Sequence, residues 1–211
     1  MIIKQAVAGS KGFDCNTPFT AIKAQAFRAA GMDFAIRYLP RTAALIPGNL
    51  TSQEMEIILS AGLDLGFVQH CPLAGWTPSA ALGASYGQFA STYAKGIGVP
   101  AGAIIWCDLE GVAAGTSPEA VIEYYKSWFT SVEIGGYVGA LYVGYNPGLD
   151  AQQLYSLPCK GYWRAYNYDD GVATRGFCLL QDPAQTLAGI QYDPNQCVAD
   201  KLGGLPIWVS A

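Results

Sequence analysis

Charged residues and histidine are scarce in this chain of 211 residues. Only 13% of the residues are charged, a single histidine is present, no run of Lys or Arg occurs, and the formal net charge is −4. Nucleic acids and anionic membranes attract basic surfaces, so an acidic chain without a basic patch is a poor partner for either. Nothing approaches the roughly 18 consecutive apolar residues that a membrane span requires. The sequence therefore predicts neither nucleic-acid binding nor membrane insertion.

Motifs for cofactors and metals are also missing. No Gly-x-Gly-x-x-Gly follows the first predicted strand and no phosphate-binding loop occurs, which removes the usual signs of a nucleotide site. No Cys-x-x-Cys pair is present, and one histidine offers little to zinc. We therefore expect no cofactor and no metal ion. Because the net charge is negative, we expect ligands that are neutral or cationic.

The N-terminus lacks the long apolar segment of a signal peptide. We nevertheless expect a secreted or extracellular protein, whose signal has been removed or which is exported by another route. The reason is the cysteine content, because an even number at wide spacing favours up to three disulfides over buried free thiols. Cys107 is the cysteine that we expect to stay free, since strand alternation points it outward while Trp106, Asp108 and Glu110 point inward. The six cysteines are Cys15, Cys71, Cys107, Cys159, Cys178 and Cys197.

Apolar stretches of strand length alternate with amphipathic helical segments along the chain. Apolar residues make up 51% of it, and no linker or repeat divides it, so a single domain over residues 1–211 is expected. Alternation implies parallel strands with right-handed crossovers; an open doubly wound sheet is the alternative to closure. We predict an α/β protein, a single (β/α)8 TIM-type barrel with short or missing late helices. Its predicted strands are 12–14, 34–39, 65–70, 103–110, 140–145, 162–166, 177–181 and 190–193.

Two carboxylates stand at the end of the fourth predicted strand. Asp108 and Glu110 follow an apolar run, and residues two apart in a strand project from the same face. An α/β barrel keeps its catalytic groups at the C-terminal ends of its strands. Clustered carboxylates cannot all ionise freely, so one of them stays protonated and can act as a general acid. The alternative interpretation is a pair of solvated, inert acids.

Polar and aromatic residues end the other predicted strands too. Asp14 ends the first and Asp193 the eighth, so we predict Asp14, Asp108, Glu110 and Asp193 as the catalytic carboxylates. For Asp14 and Asp193 the alternative is a structural role, in capping a turn or bonding loop amides. The residues predicted to bind the substrate share a place at or near a strand end: Arg37, Tyr38, Gln69, His70, Tyr142, Tyr145, Trp163, Tyr166, Gln181, Gln191 and Asn195.

Five short motifs at these strand ends resemble those of one enzyme family. They are residues 12–14 (Gly-Phe-Asp), 108–110 (Asp-Leu-Glu), 142–145 (Tyr-Val-Gly-Tyr), 163–166 (Trp-Arg-Ala-Tyr) and 192–195 (Tyr-Asp-Pro-Asn). Their order and spacing resemble the family 25 glycoside hydrolases, the lysozymes of Chalaropsis type. The chain is still more similar to their relatives, the glycoside-hydrolase-like domain family of actinobacteria, other bacteria and fungi. The resemblance covers nearly the whole chain, although Arg37-Tyr38 stands where the lysozymes have a lysine-containing motif.

The resemblance implies a glycosidase that cleaves the bond between N-acetylmuramic acid and N-acetylglucosamine in peptidoglycan. It implies Glu110 as the proton donor, Asp108 as its neighbour, and Asp14 and Asp193 as the outer carboxylates. The expected partner is a polysaccharide or peptidoglycan, bound by a monomer. One alternative is a non-catalytic glycan-binding barrel, and another is a cell-wall-degrading toxin domain delivered into a competitor's periplasm. The intact acidic pair favours the enzyme.

Overall fold

Eleven strands and five helices make up the computed structural model, which describes residues 1–211. The strands are β1 (Ile2–Gln5), β2 (Lys11–Asp14), β3 (Phe34–Leu39), β4 (Asp64–Gln69), β5 (Ile104–Leu109), β6 (Val138–Val143), β7 (Tyr162–Arg164), β8 (Leu179–Gln181), β9 (Gln185–Leu187), β10 (Ile190–Cys197) and β11 (Ile207–Ser210). The helices are α1 (Ala21–Ala29), α2 (Ser52–Ser60), α3 (Ala80–Gly96), α4 (Pro118–Ile134) and α5 (Ala151–Tyr155).

Eight of the strands close into a barrel, which confirms the predicted fold class. The order around the ring is β4-β3-β2-β10-β8-β7-β6-β5, and β5 pairs with β4 to complete it. Seven strands run parallel, but β10 pairs antiparallel with both β2 and β8, which corrects the expectation of an all-parallel barrel. The cause is local: β9 and β10 form a hairpin through Ala188 and Gly189, with φ of 50° and 72°, so no crossover returns the chain before its last barrel strand.

Side-chain caps mark the beginnings of the helices. The first four begin at a Ser or Thr whose side chain accepts the backbone N–H of the residue three positions on: Thr20, Thr51, Ser79 and Ser117. No helix follows β7, so the late helices are missing as predicted. None of the five helices is long and apolar enough to cross a membrane.

The barrel interior is closed at the N-terminal ends of the strands. Trp208 of β11 stacks on Phe34, with ring centroids 4.5 Å apart. Gly66 of β4 leaves room for this indole, since a Cβ there would lie 2.5 Å from its ring. Trp106 belongs to this inner cluster, whereas Cys107 packs in the outer core between barrel and helices. Since aromatic side chains fill the barrel interior at this end, the interior is accessible from the other end.

The cysteines are all free thiols, so the expected disulfides are not present. Five of the six are buried, and they pack as small apolar side chains in the two core clusters. Cys107 and Cys159 lie outside the barrel wall, while Cys178 and Cys197 lie inside it. The barrel wall therefore separates Cys107 and Cys159 from Cys178 and Cys197, and a barrel of this size buries enough surface to need no cross-link.

A buried ion pair fastens α2 to the barrel. Arg37 of β3 is fully buried outside the barrel, and its Nε donates to Glu54 Oε1 at 2.8 Å. The same Glu54 oxygen accepts the backbone N–H of Phe19 at 3.0 Å, so Glu54 does not close a capping box back onto Thr51. Arg37 also donates to the carbonyls of Cys15 and Gly48. The Arg37–Glu54 pair thus ties two loops and a helix to β3.

Replacing Glu54 with alanine should destabilise the protein strongly. The change leaves the Arg37 guanidinium buried without a counter-charge, and breaking one partner of a buried pair costs about 3–5 kcal/mol. Urea unfolding followed by circular dichroism measures the loss. Glu56→Ala, an exposed change in the same helix, is the matched control and should stay within about 0.5 kcal/mol of wild type. Equal effects of the two substitutions would contradict the role assigned to this pair.

Candidate active site

A cavity of about 290 Å³ opens at the C-terminal ends of the barrel strands. Three carboxylates line it, those of Asp108, Glu110 and Asp193. The lining contains no Lys or Arg, and its remaining members are mostly aromatic or amide side chains: Tyr38, Val68, His70, Tyr142, Trp163, Tyr166, Asn167 and Gln181. An uncharged ligand with many hydroxyl groups suits such a wall, because aromatic faces and hydrogen-bonding groups alternate along it.

Asp14 lies directly beneath this cavity and is fully buried. Its Oδ1 accepts the Tyr38 hydroxyl at 2.8 Å, while its Oδ2 accepts the side-chain amides of Gln181 at 2.8 Å and Asn195 at 2.7 Å. The three donors come from β3, β8 and β10, so one carboxylate joins the strands on either side of β2. A buried carboxylate is tolerated only when donors surround it in this way.

Two further aromatic residues hold the amide groups in the required orientation. Trp163 Nε1 donates to Asn195 Oδ1 at 2.7 Å, and the Tyr142 hydroxyl donates to Gln181 Oε1 at 3.0 Å. Since the amide oxygens are occupied by these donors, the NH2 groups turn towards Asp14. The network therefore extends from the barrel interior to the cavity wall.

Burial sets the protonation of Asp14. Loss of solvent and, after it, the charge of Asp193 raise the pKa of Asp14 to about 6, against the lowering effect of its three hydrogen bonds. Asp193 stands directly opposite Asp14 in the β10–β2 pairing, and burial raises its own pKa as well. Like charges facing each other across two strands make this end of the barrel electrostatically strained.

Asp108 is held at the cavity floor by the end of β4. Its Oδ2 accepts the backbone N–H of Cys71 at 3.1 Å and lies 3.8 Å from Nδ1 of His70. The His70 ring in turn stacks on Tyr38, with centroids 4.0 Å apart. The second oxygen, Oδ1, is buried and has no hydrogen-bond partner. Asp108 therefore keeps one free acceptor in the most enclosed part of the site.

Glu110 is only partly buried and faces the open cavity. Its main chain is fixed because Trp76 Nε1 donates to the Glu110 carbonyl at 2.8 Å. Its side chain crosses Gly144, where a Cβ would collide with Oε2 and would lie 2.7 Å from the Glu110 Cβ. Burial first, then the charges of Asp108 and Asp14, raise the pKa of Glu110 to about 7. A carboxyl whose pKa is raised towards neutrality can hold a proton under conditions in which an ordinary glutamate has lost it, which a general acid requires.

The four predicted carboxylates come together at one end of the barrel, and several predicted binding residues do not join them. Arg37 and Gln69 point outward, because each is one residue away from an inward-facing position. Gln69 accepts Trp128 Nε1 at 2.7 Å and donates to the carbonyls of Pro40 and Tyr86. Gln191 is exposed on the β9–β10 hairpin.

Tyr145 and Tyr166 are exposed at the rim, with 67% and 53% of their surface accessible. Tyr145 and Glu110 also line a second cavity of about 360 Å³ that continues from the first past Cys71. Sequence reasoning missed Cys71 and Asn167. Each directly follows a residue that was predicted, so reading one position past the strand end would have found both.

Comparison with known proteins assigns the family. The model of the Rv2525c-like, glycoside hydrolase-like domain matches residues 25–200. The chain belongs to this family. The expected membership is thereby confirmed, and with it a glycoside hydrolase-like domain. No curated protein sequence matches the chain.

Solved structures from this family and from lysozymes share the fold. The Tat-secreted protein Rv2525c from Mycobacterium tuberculosis, in complex with L-tartrate, is 18% identical over 93% of this chain and 99% of its own, with a TM-score of 0.69. A family 25 glycosyl hydrolase from Bacillus anthracis is 14% identical over 90% and 89%, with a TM-score of 0.59. The modular autolysin LytC from Streptococcus pneumoniae, in complex with a synthetic peptidoglycan ligand, is 10% identical over 95% of this chain and 46% of its own, at a TM-score of 0.60.

Glu110→Gln should stabilise the protein at high pH and change little at low pH. A carboxyl whose pKa rises from 4.5 to about 7 on folding stabilises the fold below pH 4.5, and this contribution is lost as the pH rises through 7. Glutamine stays neutral, so the variant should gain on the order of 1–3 kcal/mol over wild type between pH 4 and pH 8. Chemical denaturation at both pH values measures the difference. Glu133→Gln, an exposed change on α4, should show a pH-independent difference, and the same result for Glu110→Gln would refute the shifted pKa.

Proposed function

We propose that the protein is a glycosidase that hydrolyses peptidoglycan, with Glu110 as the general acid. The observation that carries the proposal is the raised pKa of Glu110, to about 7, in an open cavity that two other carboxylates share. A structural carboxylate would instead be paired with a cation or surrounded by donors. Glu110 faces no Lys or Arg, so its proton remains available to a ligand.

The reaction begins when Glu110 gives its proton to the oxygen of the scissile glycosidic bond. As this bond breaks, positive charge develops on the sugar ring, in an oxocarbenium-like transition state. Asp108 and Asp193 line the same cavity and stabilise that charge. One of these carboxylates also positions water or the acetamido group of the substrate for attack at the anomeric carbon. The backbone N–H of Cys71 keeps Asp108 in place for this role.

Asp14 acts through its neighbours and does not touch the substrate, because it is fully buried. It positions Tyr38 and Gln181, both of which line the cavity. Its charge also contributes to the raised pKa of Glu110. We assign it as a positioning residue that tunes the general acid.

Peptidoglycan is favoured as the substrate by the wall of the cavity and by the relatives. The exposed rings of Tyr145 and Tyr166 offer flat faces on which sugar rings stack. LytC is known with a synthetic peptidoglycan ligand, and Rv2525c is a Tat-secreted protein. We therefore propose that this chain works as a single domain outside the cytoplasm, on the glycan strands of a cell wall.

Glu110→Gln should abolish release of soluble muropeptides from purified peptidoglycan, with a rate at least about 100-fold below that of wild type. The amide keeps the size of the side chain but has no proton to transfer. Chromatography of the digest measures the rate, with chitin oligomers as a parallel substrate, and the variant should still bind glycan fragments. Turnover close to wild type would reject Glu110 as the acid. Binding without hydrolysis by the wild type would instead identify a glycan-binding barrel.

Asp14→Asn should shift the basic limb of the pH–rate profile to lower pH. Removing a negative charge near Glu110 lowers the pKa of this acid, so the protonated form is lost at lower pH. The network accepts the amide if its oxygen takes the donors Gln181 and Asn195 while its NH2 donates to the Tyr38 hydroxyl. Activity on peptidoglycan between pH 4 and pH 9 measures the limb. An unchanged profile would mean that the charge of Asp14 does not affect the pKa of Glu110.

A further inference from the structure

A thiol borders the two carboxylates at the cavity floor. Cys71 follows the last residue of β4 by two positions and is only partly buried, unlike the other five cysteines. One donor atom each from Cys71, Asp108 and Glu110 lie within 4.8 Å of one another. His70 Nδ1 is 3.8 Å from Asp108 Oδ2, so an imidazole stands beside the same group. Three side chains of metal-binding type therefore meet in one place, and the His70 imidazole stands next to one of them.

The unpaired oxygen of Asp108 is a separate sign that this place takes a ligand. Asp108 is only 5% exposed, and its Oδ1 has no hydrogen-bond partner. A buried carboxylate oxygen without a partner is costly, and such atoms in native proteins call for an explanation. A cation held between the thiol and the two carboxylates would give this oxygen its partner.

The donor set selects the kind of cation. A thiolate with an imidazole and carboxylates suits Zn²⁺ and other thiophilic ions, whereas Mg²⁺ and Ca²⁺ prefer oxygen ligands alone. The two cavities that meet at Glu110 contain no Lys or Arg in their lining, which favours a divalent cation there; the cation in the adjoining cavity, Arg41, lies on the far side of His70 and Cys71 from Glu110. The spacing of these residues in the sequence matches no zinc motif, which is why the sequence predicted no metal.

We propose that Cys71, Asp108 and Glu110, with His70 beside them, form a reversible binding site for zinc that inhibits the enzyme. On binding, one zinc–sulfur bond and zinc–oxygen bonds form, and the protons of the Cys71 thiol and of Glu110 pass to solvent. Glu110 then has no proton for a glycosidic oxygen. The inhibition rests on the proposed function, whereas the binding does not.

Titration calorimetry with Zn²⁺ alone tests the binding, with Mg²⁺ as the control ion. We expect one zinc ion per chain, no heat from Mg²⁺, and at least about ten-fold weaker zinc binding in Cys71→Ser and in Asp108→Asn. Asp193→Asn is the matched control, because it removes the same charge from the same cavity without removing a proposed ligand. Its zinc affinity should change less than about three-fold. Equal weakening by Asp193→Asn and Asp108→Asn would show attraction by net charge only and would overturn the site.

Two measurements on the unaltered protein keep the test independent of the variants. Co²⁺ should produce a thiolate-to-metal charge-transfer absorption, and Zn²⁺ should slow alkylation of Cys71, located by mass spectrometry, in the native protein. Cobalt binding without that absorption, or unprotected alkylation at saturating zinc, would overturn the proposal. Zinc binding with these signatures but without any hydrolysis to inhibit would retain the site and reject the glycosidase. Inhibition of equal strength in Cys71→Ser would reject this site as its cause.

Discussion

The buried carboxylate of Asp14 is the interaction on which the rest of the site depends. Its two oxygens take three donors from β3, β8 and β10, and Trp163 and Tyr142 orient the amide donors from behind. This network joins the only antiparallel strand of the barrel to its parallel neighbours. Without a carboxylate at this point, two amides and a hydroxyl would be buried with no acceptor. Asp14 therefore both hydrogen-bonds side chains of β3, β8 and β10 and supplies negative charge beneath the cavity.

That charge creates a conflict between stability and chemistry. Four carboxylates share one end of the barrel, and burial raises the pKa of Asp14, Glu110 and Asp193. Each ionisation makes the next one harder, so this end of the barrel is electrostatically strained. Elsewhere the structure has well-satisfied ion pairs, such as Arg37 with Glu54 and Arg175 with Asp200. The buried carboxylates that lack a Lys or Arg partner, Asp14 and Asp108, both lie at the candidate site, as is typical of functional sites.

Backbone geometry determines which of the four carboxylates is both accessible to a ligand and raised in pKa, and this carboxylate is that of Glu110. Its carbonyl is fixed by Trp76, and its side chain crosses a glycine where any Cβ would collide with it. Asp108, two residues earlier, is deeper and is anchored by a backbone N–H. The two acids lie on the same face of the strand, but only the outer one combines exposure to a ligand with a pKa near 7. In the proposed mechanism, position along the strand thus assigns proton donation to Glu110 and charge stabilisation to Asp108.

The sequence by itself determined the barrel, its eight strands and the clustering of Asp14, Asp108, Glu110 and Asp193, because strand periodicity and strand ends are local properties of the chain. It also placed Trp106 inside and Cys107 outside, by alternation alone. Only the tertiary structure decided the direction of β10, the outward orientation of Arg37 and Gln69, and the free state of the cysteines. These depend on which strands become neighbours and on one-residue register, which reverses the face of every side chain. The meeting of Cys71 with Asp108 and Glu110 has the same origin, since it joins residues from β4 and β5 that only barrel closure brings together.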